Sequence, residues 1–180
     1  MFSFTLAVPL ALLAARNVCR IPALNALAQL LLVASRSVNS LVWALIFVAV
    51  FGPGAAAGTF AIAFRSVGFV GKLLAEALEE AAPGPAEALR AAGAPWGAVM
   101  LKGVWPQVQP AFWGVALFRW DINVRESAVL GLVGAGGIGV VLDDAINVFR
   151  WDRVATILLA ILAVVVVAEI VVTRVRARLI

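Results

Sequence analysis

Four charged residues sit close together inside one apolar run: Arg119, Asp121, Arg125 and Glu126, within residues 110–132. A charge at mid-bilayer depth costs about 2.5–3.5 kcal/mol on insertion scales, so such residues are rarely incidental. Asp121 and Arg125 are spaced i,i+4 on one helical face, which lets them pair. Arg119 and Glu126 are spaced i,i+7, two turns apart on a similar face. Two chemistries fit. The charges could form ion pairs that hold helices together, or line a polar path for a solute, with Asn123 between them. Arg65, midway along an earlier apolar run, could join that path, snorkel, or pair with Glu126.

Other chemistries are excluded. The chain has no histidine and one cysteine, Cys19. A Ser-His-Asp or Cys-His set cannot form, an internal disulfide is impossible, and no transition-metal site or other cofactor is expected. The sequence GAGGIG at 134–139 contains Gly-x-Gly-x-x-Gly, but a dinucleotide site needs a preceding strand. Here the glycines follow an apolar helix. Gly134, Gly136, Gly137 and Gly139 are therefore expected to form a tight outer turn.

The elements that must position these residues are set by composition. Of 180 residues, 64% are hydrophobic and 13% charged, with mean hydropathy +1.06. A soluble domain is nearer half apolar and a quarter charged. The apolar residues fall in long runs without period-2 alternation, which predicts an all-α, polytopic membrane bundle and not a β-barrel. Apolar helices are expected over 2–15, 38–52, 55–71, 110–132 and 154–173, about five membrane helices in one domain spanning 1–180. Residues 23–36 are helical in pattern but polar-flecked, which places them at the membrane interface. The first run is short and has no basic leader, so Met1 is expected to lie within a longer helix whose start is missing.

The net charge is +4, with the basic residues in loops and no contiguous basic face with interleaved aromatics, so nucleic acid is not an expected partner. Arg16, Arg20, Arg36, Lys72, Arg90, Lys102, Arg174, Arg176 and Arg178 fall on one side. Arg150 and Arg153 fall on the other, and Arg65, Arg119 and Arg125 lie at membrane depth. The strongly basic side is the cytoplasmic one, which puts residues 72–107 and the C-terminus there. Glu169, near the cytoplasmic end of the last helix, is expected to pair with the C-terminal arginines.

Residues 72–107 interrupt the apolar pattern. Lys72 to Ala82 can continue the preceding helix out of the membrane, and Pro-Gly-Pro at 83–85 breaks it. Pro85 suits the first turn of a new helix, with Glu87 near its positive end. Gly93 suits the left-handed position past the helix end. Pro95 opens a further short helix, and Pro106 is expected to end it. Two short helices with an apolar side in water imply a groove on a partner, or an ordinary amphipathic connection.

This stretch resembles the coupling-helix motif of ABC-importer permeases: Glu-Ala-Ala, three residues, Gly, nine residues, an aliphatic, any residue, Leu and Pro. Glu87, Ala88, Gly93 and Pro106 match at the motif spacing, while Leu89, Gly103 and Trp105 depart from it. RSVNSLVWALIFVAVFG at 36–52, GKLLAEALEE at 71–80 and FRWDINVRESAVLGLVGAGGIG at 118–139 resemble phosphonate-importer permeases, with a methionine-importer-like fold. The resemblance implies two permease copies, a cytoplasmic ABC ATPase pair that docks on the motif, and a periplasmic substrate-binding protein. It implies a bacterial inner-membrane protein that hydrolyses no ATP itself.

An arginine would suit a phosphonate, which carries negative charge. Arg119, without an i,i+4 acid, is the first candidate to meet the anion, and Arg65 the second. Three alternatives stay open: a permease for another small solute such as an amino acid, a secondary transporter or channel using the intramembrane charges, or a truncated and non-functional permease.

Overall fold

A computed structural model describes residues 2–18 and 21–179. Cys19, Arg20, Met1 and Ile180 lie outside the described residues, as does the side chain of Arg178. Among the described residues there are helices and no strands. The helices are α1 (Phe2–Ala14), α2 (Pro22–Ser37), α3 (Ser40–Phe51), α4 (Ala55–Glu80), α5 (Pro83–Ala91) and α6 (Trp96–Ala98). A π-helical segment, Val99–Val104, leads into α7 (Trp105–Leu130), followed by a 3₁₀ turn (Gly131–Val133), α8 (Ile138–Asn147) and α9 (Trp151–Leu179). Each of the five expected apolar runs is a helix: α1, α3, α4, α7 and α9.

Helix α4 is the axis of the bundle, with α1, α2, α3 and α7 all packed on it. Small residues allow the close approach, because lipid tails supply no hydrophobic drive between helices and van der Waals contact must replace it. Ala7, Ala11 and Ala14 of α1 form an i,i+4,i+7 stripe with no exposed surface. On α4, a Cβ at Gly68 would stand 2.7 Å from the Leu32 carbonyl oxygen and 2.8 Å from the Ser35 side chain. Gly71 likewise seats the Leu32 side chain.

Helix α2 has a polar side turned to its neighbours and an apolar side turned out. Asn25, Gln29 and Ser35 face inward, whereas Arg36 and Ser37 at its end are exposed. Asn25 Nδ2 donates to the Ala14 carbonyl at 2.6 Å and Gln29 Nε2 to the same carbonyl at 3.1 Å. These bonds satisfy end carbonyls that α1 leaves unpaired. The outward face carries Leu24, Leu27, Leu30 and Leu31, all exposed. The polar flecks therefore cap a neighbour, and apolar surface faces out. α2 and α3 meet at a 95° bend and together are apolar enough for a broken span. The break lies at Val38 and Asn39, both extended, and Asn39 caps α3 by accepting from Leu41 N–H at 3.1 Å.

Pro106 does not end a helix. It sits in the first turn of α7, which runs straight on from the π-helical segment. Proline removes an N–H and crowds the carbonyl four residues back. The wider register absorbs this: Trp105 N–H donates to Met100, five residues back, and Gln107 Nε2 donates to the Gly103 carbonyl at 2.6 Å.

By length and composition, α9 over Trp151–Ala177 can cross a membrane unbroken. Up to three spans result if the α2–α3 pair and the α7–α8 pair, bent by 41°, each count as one, and Ser3–Ala14 is a shorter apolar helix. Only 11% of the apolar stretch of α9 is buried, so its surround must itself be apolar.

Three apolar clusters form the core. The smallest joins α8 and α9 through Leu142, Ala145 and Val154. Of the other two, one joins α1, α2, α5, the π-helical segment and the C-terminal half of α4. The other joins α3, the N-terminal half of α4 and the end of α7. These two flank the intramembrane charges.

Candidate functional site

Arg65 and Ser66 on α4 face Arg119, Asn123 and Glu126 on α7. Glu126 takes a guanidinium on each oxygen: Arg65 on Oε1, and Arg119 on Oε2 at 3.2 Å. Arg119 Nε also donates to Ser66 Oγ at 2.9 Å, and its guanidinium lies 5.5 Å from the Phe69 ring centroid. Ser66 Oγ stands 3.1 Å from Asn123 Oδ1 and 2.6 Å from the Ile62 carbonyl. Asp121 pairs with Arg125 on one face of α7, the i,i+4 geometry that their spacing allows. Arg65 Nε and Asp121 Oδ1 are buried without a hydrogen-bond partner among the described residues.

The cluster separates the arginines by exposure. Arg119 is 1% exposed and enclosed by Glu126, Ser66 and Phe69. It does have an acid partner, two turns along α7 and not one. The side chain of Arg125 is 53% exposed. A cleft of about 340 Å³ opens beside it, lined by Asn39, Ser40, Leu41, Arg65, Arg125 and Glu126. Asn39 and Ser40, at the start of α3, were not identified as site residues from sequence. The signal was an N-cap residue, Asn39, directly ahead of an apolar run.

The second group of residues lies at the C-terminal end of α4. α5 opens at Pro83, not Pro85, with Ala82 as its N-cap. Glu87 therefore falls in the second turn, beyond the strongest influence of the helix dipole. Glu87 and Ala88 are exposed, whereas Ala86 is buried. The helix closes with paired reverse bonds: Ala94 N–H donates to the Leu89 carbonyl at 3.0 Å and Gly93 N–H to Arg90 at 2.9 Å. This is the Schellman arrangement, and it needs the left-handed backbone that Gly93 supplies at φ +77°.

Two of the departures from the motif, Leu89 and Gly103, lie against each other. A Cβ at Gly103 would lie 3.2 Å from Leu89 Cδ1 and 3.2 Å from Ala86 Cα. Leu89, larger than the motif's alanine, occupies the space an aliphatic side chain at 103 would take. Gln107 closes the junction: its amide accepts from Ala82 N–H at 2.9 Å and donates to the Ala82 carbonyl at 3.3 Å.

The glycine turn lies at the opposite end of α4. Gly54 N–H donates to the Gly134 carbonyl at 2.9 Å. Gly136, at φ +82°, sits where a Cβ would meet the Ala55 backbone at 2.5 Å. Gly137 precedes α8, and Gly139, inside α8, packs on the Ala128 carbonyl and Gly131.

The family described as binding-protein-dependent transport system inner membrane component matches residues 7–180. The chain is 47% identical over 159 residues to the phosphite transport system permease protein PtxC of Stutzerimonas stutzeri, covering 88% of this chain and 58% of that protein. It is 42% identical over 175 residues to the phosphate-import permease protein PhnE of Mycolicibacterium smegmatis, covering 97% of this chain and 33% of that protein. PhnE2 of Escherichia coli, named for a cryptic phosphonate transport system, is 40% identical over 116 residues, 64% of this chain and 95% of that one. The chain thus spans about a third to three fifths of the first two relatives' length. Among solved structures, a chain of the inward-facing MetNI methionine ABC transporter superposes with TM-score 0.81 at 21% identity, covering 99% of this chain and 88% of that one. A chain of an amino acid ABC transporter with histidines gives 0.70 at 18% identity, covering 98% and 85%.

Proposed function

The chain belongs to the family of binding-protein-dependent transport system inner membrane components, and from that membership we propose that it is the membrane subunit of an ATP-driven importer of a phosphorus oxyanion. One observation carries the choice of substrate. The relatives at 40–47% identity are named for phosphite, phosphate and phosphonate transport, whereas the structural neighbours named for amino acids are only 18–21% identical.

In this reading a pair of ABC ATPases docks on the exposed face of α5. Glu87, Ala88 and Gly93 form the docking surface, and Pro106 carries its motion into α7. Gln107 and the Leu89–Gly103 contact tie α5 to the start of α7, so closure of the ATPases tilts α7 and the charged cluster with it. A second copy completes the pathway, and a periplasmic binding protein delivers the anion beside the glycine turn. The polar stripe of Arg65, Arg119, Asp121, Asn123, Arg125 and Glu126 lies along the path. The excess of basic residues on the side that holds α5 and the C-terminus supports a cytoplasmic position for both. ATP hydrolysis occurs on the ATPase partner, not on this chain.

The test is uptake. The chain is expressed with its cognate ATPase and binding protein in cells lacking their own phosphite, phosphonate and phosphate importers. ATP-dependent accumulation of at least one of these anions is the expected result. Uptake of amino acids instead, or oxyanion uptake without the ATPase, overturns the reading.

A further inference from the structure

The charged cluster does not balance. Arg65, Arg119 and Arg125 stand against Asp121 and Glu126, three guanidiniums to two carboxylates at membrane depth. Glu126 is saturated by two arginines, so it does not repel an incoming anion as a free carboxylate would. Asp121 engages Arg125 through one oxygen only. The excess positive charge faces a cleft, and the N-terminal end of α3 borders the same cleft through Asn39, Ser40 and Leu41. Helix N-termini add partial positive charge. Arg65 lines this cleft and has a buried Nε–H with no acceptor. Intramembrane charges of this kind face a bundle interior or an aqueous cavity, paired with a counter-ion.

We infer that this cleft, walled by Arg65, Arg125 and the start of α3, binds a tetrahedral phosphorus oxyanion, with Arg125 as the residue that meets it. The inference rests on the importer reading and deepens it by naming the contact residues. Arg119 is a positioning residue: buried beneath Glu126, it holds that carboxylate against Arg65 and leaves Arg125 the more exposed cation. The planar guanidinium of Arg125 can offer two parallel N–H donors to two oxygens of the anion. An ammonium at the same place would attract the charge without that fork.

A phospholipid headgroup has the same chemistry, so the experiment separates the two sources. The full chain, in complex with its ATPase, is placed in phosphatidylcholine nanodiscs with or without phosphatidylglycerol. Binding of phosphite, inorganic phosphate and methylphosphonate is read by equilibrium dialysis. We expect saturable binding of at least one anion in phosphatidylcholine alone, unchanged by phosphatidylglycerol. Arg125→Gln should weaken it at least tenfold, Arg125→Lys by less, and Arg153→Gln, exposed at the start of α9, not at all.

No binding in wild type, or Arg125→Gln binding as wild type does, overturns the site. Phosphatidylglycerol that co-purifies with wild type but not Arg125→Gln, with no bound solute anion, also overturns it in favour of lipid. Uptake by the assembled transporter keeps the two readings apart. Oxyanion uptake with an unchanged KM in Arg125→Gln sinks this site and leaves the importer standing. No oxyanion uptake by wild type sinks the importer reading itself.

Discussion

Glu126 is the residue on which the charged cluster depends, because two arginines share it. Removing one partner of a buried pair leaves an uncompensated charge, which costs about 3–5 kcal/mol, whereas replacing the pair by apolar groups of similar size is often close to neutral. Arg119 is 1% exposed and Glu126 16%, so the rule applies here. Glu126→Leu should lower the thermal unfolding midpoint of the detergent-solubilised chain by several degrees. Adding Arg119→Met should recover more than half of that loss, and a double variant no more stable than the single one would show that Arg119 does not depend on Glu126. Gly93 is the second critical residue. Its φ of +77° sits in open space, so a substitution there acts through the backbone and not through a clash. A β-branched residue in that conformation costs about 1–3 kcal/mol. Gly93→Val should insert normally yet lose most ATP-driven uptake, and normal uptake would remove the turn from the coupling role.

At the scale of elements, the join between α5 and the π-helical segment is a matched pair of departures. Leu89→Ala should cost about 2 kcal/mol by opening a cavity, and Gly103→Ile about 1–3 kcal/mol by overpacking. Combined, they restore the family's small-plus-aliphatic arrangement, and the double variant should lie within about 1 kcal/mol of wild type. Additive losses in thermal unfolding and in co-purification with the ATPase would mean that the two positions do not share one space. The continuity of α7 through Pro106 matters for the same mechanism. A helix that stopped there would leave α5 hinged, whereas a continuous one can pass a displacement along its length.

For the whole molecule, the testable property is sidedness. The proposed topology puts the start of α9 outside and its end inside. In a Cys19→Ser background, Arg153→Cys should react with a membrane-impermeant maleimide in intact spheroplasts, and Ala177→Cys only after lysis. The reverse labelling would invert the bundle and place α5 away from any cytoplasmic ATPase. The apolar surround that α9 requires is consistent with both orientations, so only the labelling decides between them.

Much of this protein was legible in its residues. The long apolar runs demanded helices in lipid, Gly93 demanded a left-handed turn, and the spacing of Asp121 and Arg125 demanded a shared face. These are local properties, set by backbone geometry and by periods of a few residues. What sequence alone misjudged was contact between distant segments. The polar flecks of residues 23–36 read only as a sign of the membrane interface, but Asn25 and Gln29 among them serve an end carbonyl of α1. Pro106 read as a stop, but a change of helical register carries α7 through it. Arg119, without an acid one turn away, read as the first candidate to meet an anion. The fold buries it against Glu126, the i,i+7 partner its spacing allowed, and leaves Arg125 at a cleft shared with Asn39 and Ser40. Which polar group meets which depends on how four helices pack around α4, and that packing is set by glycines and alanines whose partners lie far away in the chain.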